Sequence, residues 1–227
     1  MKGILTGNQL KILALITMTI DHAGQVLFPE QAWFRTIGRL AFPIFAYMIA
    51  EGCTYTKNRK RYLGLMAGLA VLCQLLYFFA EGSLYQCILV TFSLSVAVIY
   101  LLDYTMKNRS GLGIILLCIS LMAIFFVTEI LPEKLPHTDF RIDYDFWGVM
   151  VPVLIYMSKT RMGKLILEAI GLVLVALSIG GIQWYSLISL VLLALYNGKR
   201  GKRNMKYLFY VYYPLHLTVI HFISNMI

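Results

Sequence analysis

The chain has 227 residues, 59% of them hydrophobic and 14% charged, with a formal net charge of +9. A soluble domain carries about 25% charged residues, so this composition excludes one and marks an integral membrane protein, expected as a single domain over residues 1–227. The basic excess does not indicate nucleic-acid binding, because the basic residues cluster in short connections between apolar blocks.

Nine apolar stretches follow one another, near 8–29, 36–53, 62–80, 85–103, 111–131, 145–158, 163–180, 182–197 and 206–226. The sixth is short enough to be tilted or re-entrant, which leaves eight spans as the alternative count. The predicted fold class is therefore all-α, a polytopic helical membrane bundle of about nine transmembrane helices. Alternate connections hold sixteen of the twenty basic residues, among them Lys57, Arg59, Lys60 and Arg61, and Lys199, Arg200, Lys202 and Arg203. The opposite set is poor in them and carries Glu30, Glu81, Glu133, Asp139 and Asp143. This bias places the N-terminus inside and the C-terminus outside. The first span is too long for a signal-peptide core and no small-residue cleavage site ends it, so it is expected to be retained. Cys53, Cys73, Cys87 and Cys118 show neither paired nor metal-ligand spacing, so no disulfide and no metal is expected.

The first span carries Asn8, Lys11, Asp21, His22 and Gln25 at helical spacing. A charged residue inside a span costs about 2.5–3.5 kcal/mol on insertion scales, and such residues mark functional sites. Packing between helices, or a span that ends early, is the alternative for Asp21-His22. With the N-terminus inside, the pair lies in the outer half of the bilayer.

The second span opens Ile37-Gly38-Arg39-Leu40-Ala41-Phe42-Pro43. Helical Pro43 cannot bond the Arg39 carbonyl, which predicts a kink there. Arg39 stays charged and needs a carboxylate, a carbonyl or an anionic ligand, Asp21 being one candidate. Snorkelling to the outer headgroups is the alternative. The span ends Glu51-Gly52-Cys53-Thr54-Tyr55-Thr56-Lys57-Asn58-Arg59-Lys60-Arg61-Tyr62. This basic inner loop either touches anionic lipid or seats a phosphate-bearing cytosolic ligand. Glu51 is a candidate partner for one of its bases. Asp145 opens the sixth span, either capping it or facing the same cavity as Asp21. Glu129 and Glu168, within apolar runs, are read as interface-facing or paired. In the last span Tyr210, Tyr213 and His216 share one face, and Pro214 interrupts the backbone ladder. For His216, a packed ring satisfied by a carbonyl is as good a reading as a chemical role.

Leu10-Lys11-Ile12-Leu13-Ala14, Met18-Thr19-Ile20-Asp21-His22, Ile37 to Phe45, Glu51-Gly52, Thr56, Asn58, Phe209-Tyr210 and Tyr213-Pro214-Leu215-His216-Leu217 together resemble the TraX family. The likeness is dense over 10–62 and 207–217 and thin between 85 and 180. The family's founding member is the integral-membrane acetylase of conjugative pilin, and it is similar to a wider superfamily of transmembrane acyltransferases. The resemblance implies a multi-pass protein of the bacterial inner membrane. It would move an acetyl or other acyl group from cytosolic acyl-CoA to an acceptor on the outer side, a peptide amine, a glycan or a lipid. It places chemistry on His22, Asp21, Arg39, His216 and Tyr213, with His22 as the base. It places CoA binding on Glu51, Thr56, Asn58, Lys60, Arg61 and Tyr62, with the Thr56–Arg61 loop taking the phosphates. Membrane lipids are expected as partners, and the oligomeric state is open. Direct attack and a transient acyl-histidine are both compatible with these residues. A proton-coupled transporter and a non-catalytic subunit of a pilus or secretion assembly are the rival classes.

Overall fold

Mean composition predicts helices throughout, and the computed structural model is all-α, with two isolated β-bridges among the described residues. It describes residues 3–202, 205–224 and 226; the side chains of Lys206, Tyr207, Phe209 and Tyr210 lie outside that description. The expectation that Tyr210 shares a face with His216 therefore falls outside the described residues, as do Lys2 and Arg203.

The helices are α1 (Gly7–Val26), α2 (Ala32–Gly38), α3 (Ala41–Tyr55), α4 (Arg59–Glu81), α5 (Ile88–Asn108) and α6 (Gly111–Phe125). A π turn, Phe126–Ile130, joins α6 to α7 (Leu131–Lys134); then come α8 (Asp145–Met157) and α9 (Arg161–Ile179). A 3-10 helix, Gly181–Ile188, runs into α10 (Ser189–Ala194), and α11 (Lys206–Ser224) ends the chain. Taken as continuous stretches, these coincide with the nine apolar runs read from the sequence. Four of them, α4, α5, α6 through α7, and α9, are long and apolar enough to cross a membrane. The protein is a helical membrane protein.

The sixth stretch is short for a physical reason. Thirteen residues in α8 rise only about 20 Å, against about 30 Å of hydrocarbon. Its residues Val149, Val151, Val153 and Ile155 are buried, so protein rather than lipid surrounds it.

Contacts divide the chain into two compact units, Met1–Met48 with Leu172–Ile227, and Ile49–Gly171. In the first, Leu10, Ala14, Phe42, Ile44, Leu172, Val175 and Leu193 are buried. Here α1 begins with a capping box: the Thr6 hydroxyl accepts from the Gln9 amide, and the Gln9 side chain accepts from the Thr6 amide. The next free amides of α1, Gly7 and Asn8, donate to the carbonyls of Lys199 and Arg200 at 2.8 and 2.9 Å. The basic segment thus closes the start of α1 through its backbone.

In the second unit Cys53, Val96, Val98, Ile99 and Val153 form the core. Ser95 on α5 donates to the Val149 carbonyl at 2.7 Å, tying α5 to α8. Asp145 does not cap α8 with its side chain. It is buried and takes a two-pronged bond from Arg141, Nε to Oδ1 at 3.0 Å and Nη2 to Oδ2 at 2.7 Å. The cap comes from Glu129, which accepts the Phe146 amide at 2.9 Å from the π turn. Glu168 on α9 is fully buried, and neither carboxylate oxygen has a partner among the described residues. It is therefore not paired, contrary to one of its two readings. In the connection between α7 and α8, Asp139 accepts from the Ser83 hydroxyl at 2.5 Å and the Leu84 amide at 2.8 Å, both in the connection between α4 and α5. These bonds hold its carboxyl below the ordinary carboxylate range.

Candidate functional site

The second span is interrupted rather than kinked. Its helix stops at Gly38 and restarts at Ala41. Pro43 therefore sits in the first turn of α3, where no backbone donor is needed, and no interior bond is lost. The break leaves Arg39 between two helices, its amide bonded to the Arg35 and Thr36 carbonyls at 3.3 Å each.

From that position Arg39 reaches α1. Its Nη2 donates to both oxygens of Asp21, at 2.9 and 2.8 Å. Its Nε donates to the Arg35 carbonyl and its Nη1 to Gln183 Oε1, each at 3.3 Å. Arg35 stands 3.5 Å from Asp21 and donates to Gln25 at 2.6 Å. Gly38 makes this possible, because a Cβ there would overlap the Asp21 carboxylate. Of the alternatives open to it, Arg39 takes both a carboxylate, that of Asp21, and a carbonyl, that of Arg35. Its charge is neutralised by Asp21 and is not directed at a lipid headgroup.

His22, next to Asp21, points elsewhere and meets α11. Its Nδ1 lies 2.8 Å from His216 Nε2, with the rings 5.0 Å apart. His216 Nδ1 in turn lies 2.9 Å from the Tyr212 carbonyl. A carbonyl only accepts, so Nδ1 of His216 carries a proton. With both rings neutral, Nε2 of His216 is then an acceptor, and His22 Nδ1 donates to it. This assignment leaves a lone pair on His22 Nε2. The order carbonyl, imidazole, imidazole fixes one tautomer of His22, as an orienting carboxylate does in a catalytic triad.

A second rung supports the first. Thr19 Oγ1 gives its proton to the Leu15 carbonyl at 2.8 Å, so Tyr212 Oη, 2.8 Å away, donates to it. Thr19 and His22 are three apart on α1, Tyr212 and His216 four apart on α11, so each pair shares a face. The Tyr212 ring stacks on His216 at 5.4 Å, and Tyr213 meets it edge-on at 5.5 Å. Tyr213 thus packs against the relay, while Tyr212 anchors it. Tyr212, Thr19 and Gln183 escaped the sequence reading. Neutral polar residues give no cost signal in a span, and their partners lie more than a hundred residues away. The i to i+3 and i to i+4 spacings were the one available hint.

The inner loop lies in the other unit. Asn58 caps α4, its Oδ1 accepting the Arg61 amide at 2.9 Å. The Thr56 amide bonds the Gly52 carbonyl at 3.0 Å. Tyr62 brings its hydroxyl against Gly52, where a Cβ could not be accommodated without shifting it. Lys57, Lys60 and Arg61 are exposed. Arg59 instead pairs with Asp103, which also accepts from Tyr156 Oη at 2.6 Å. Glu51 is buried and bonded to Lys164 of α9, which faces inward.

Comparison with known proteins then adds identity. The TraX protein family matches residues 6–224. Protein TraX of Escherichia coli K12 is 29% identical over 114 residues, 48% of this chain and 45% of that one. A probable fimbrial assembly protein FimC, serogroup H1, of Dichelobacter nodosus is 32% identical over 73 residues, 30% of each chain. The uncharacterized protein RP591 of Rickettsia prowazekii is 46% identical over 52 residues, 23% of this chain and 21% of that one. The matched segments thus span less than half the length of these relatives, and no solved structure matches. With the family match covering nearly its whole length, the chain belongs to the TraX family.

Proposed function

We propose that this protein is a multi-pass acyltransferase of the bacterial cytoplasmic membrane, using cytosolic acetyl-CoA or another short acyl-CoA to acylate an acceptor on the outer side. The observation that carries the proposal is the lone pair on His22 Nε2, set by His216 and the Tyr212 carbonyl. An acyl transfer needs a base at the incoming amine or hydroxyl. His22 Nε2 takes that proton, and the resulting cation passes its Nδ1 proton toward His216, whose own Nδ1 proton rests on a carbonyl dipole. Asp21 and Arg39 neutralise one another beside this base and hold α1 against α2, so they position rather than react. A base suffices for direct attack, and no acyl-histidine is required.

The inner loop fits a phosphate-bearing donor. Exposed Lys57, Lys60 and Arg61 surround the start of the 23-residue helix α4, and a helix N-terminus favours anions. Lys60 and Arg61, with Thr56, Asn58 and Tyr62, would hold the phosphates of CoA, while Glu51 keeps Lys164 in place. The thioester of the donor supplies the activated acyl carbonyl. The fimbrial assembly name of one relative makes pilus-type subunits the first acceptors to try, ahead of glycans and lipids.

The test is acetyl-CoA hydrolysis by purified protein, with water as the acceptor. The expected result is measurable turnover that falls about 10²–10⁴-fold in His22→Ala, the range of general acid–base catalysis, while the variant stays folded. Equal rates in the two proteins would remove His22 from the chemistry.

A further inference from the structure

The 3-10 helix Gly181–Ile188 begins on two glycines of positive φ, its N-cap Gly180 at φ 75° and its first residue Gly181 at φ 56°. In such a helix residues three apart are eclipsed on one face. Gln183 and Ser186 are so placed, and they are 1% and 0% exposed. Gln183 Nε2 and Ser186 Oγ have no hydrogen-bond partner among the described residues. Buried polar atoms are nearly always bonded, so two orphans on one face call for an explanation. The orientation of the amide is not arbitrary. A guanidinium only donates, so the atom facing Arg39 Nη1 at 3.3 Å is the oxygen, and the NH2 group is turned away from it. Arg39 is fixed on its other side by Asp21, the neighbour of His22. Arg39 thus ties Gln183 to Asp21, the residue beside the base, and Ser186 shares the face of Gln183 on the 3-10 helix.

We propose that Gln183 Nε2 and Ser186 Oγ form the donor pair that takes the acyl carbonyl oxygen as it becomes an oxyanion. The assignment rests on the acyltransferase reading above. Neither residue changes its covalent bonds: each lends an N–H or O–H to the carbonyl oxygen while the acceptor bonds the acyl carbon and loses its proton to His22; the oxyanion then re-forms the carbonyl as the C–S bond breaks, and the CoA thiolate leaves with that proton. Arg39, its charge spent on Asp21, serves by aiming Gln183.

Ser186→Ala and Gln183→Glu test this. The glutamate keeps an acceptor for Arg39 and removes both N–H donors. Acetyl-CoA hydrolysis is measured for parent and variants as kcat and KM, with thermal unfolding followed in parallel. Loss of an oxyanion donor costs about 10²–10³ in kcat. The expected result is a fall of that order in each variant, with KM for acetyl-CoA changed less than about threefold and folding retained. Ser186→Thr, which restores a hydroxyl, recovers part of the rate. Parent-like kcat in both variants beside an active parent overturns the proposal alone and leaves the pair as a site for structural water. An inactive parent overturns the acyltransferase reading, and the donor pair with it.

Discussion

His22 and Asp21 are adjacent in sequence and serve different partners in space, because neighbours on a helix point about 100° apart. Asp21 goes to Arg39, His22 to His216. The tautomer argument makes His216 an orienting group, so His216→Ala should lower kcat for acetyl-CoA hydrolysis about 10²-fold or more and leave KM nearly unchanged; a rise in KM alone would assign it to binding. Gly38 has a separate task. Its missing Cβ is the space the Asp21 carboxylate occupies. Gly38→Ala should destabilise the protein by about 1–3 kcal/mol, the range of overpacking, read as a lower thermal midpoint. The expensive residues, Asp21, His22, Arg39 and His216, were legible in the sequence because each costs free energy in a span and so demands a reason. Gln183, Ser186, Thr19 and Tyr212 were not, since a neutral polar residue in a helix looks the same whether bonded or orphaned.

At the scale of elements, the order and bounds of the nine apolar stretches were legible from hydropathy alone. What was not legible is how several are interrupted. Pro43 signalled a disturbance, and whether it gives a kink or a break depends on whether packing at Gly38 leaves room for a turn. The π turn at Phe126–Ile130 carries no sequence signal at all, and its use became visible only through Glu129 capping α8. Two buried acids on facing duties make a contrast that can be measured. Glu51 is bonded to Lys164, and Glu168, one turn further along α9, has no partner among the described residues. Removing one member of a buried pair costs about 3–5 kcal/mol. Lys164→Ala should therefore lower stability by that order, and Glu168→Gln should leave it unchanged or raise it; the reverse order in thermal unfolding would contradict this account. Outside the membrane, Asp139 has a depressed pKa, so its bonds to Ser83 and Leu84 contribute stability above the unfolded value of about 3.9. That contribution is lost as pH falls through the lower folded value. Amide exchange at Leu84 should be slow and flat at neutral pH and accelerate in opening only below about pH 4.

For the molecule as a whole, the apolar helices and the family match describe a helical membrane protein. Composition excluded a soluble protein at once, and charge alternation supplied an orientation that no single helix could. The proposed function needs both faces of the membrane, since its proposed donor is cytosolic and its proposed acceptor external. If the loop binds CoA phosphates, Lys60→Glu with Arg61→Glu should raise KM for acetyl-CoA at least tenfold, and more so at low salt, where charge is less screened. The central claim is that an acetyl group enters at the basic face and leaves at the other through His22. Proteoliposomes given acetyl-labelled acetyl-CoA only on the face bearing Lys60 and Arg61 measure this directly. Labelled acetate should appear in the opposite compartment and fall to the protein-free level with His22→Ala. Label released only on the side of addition, or unchanged by that substitution, would contradict the account.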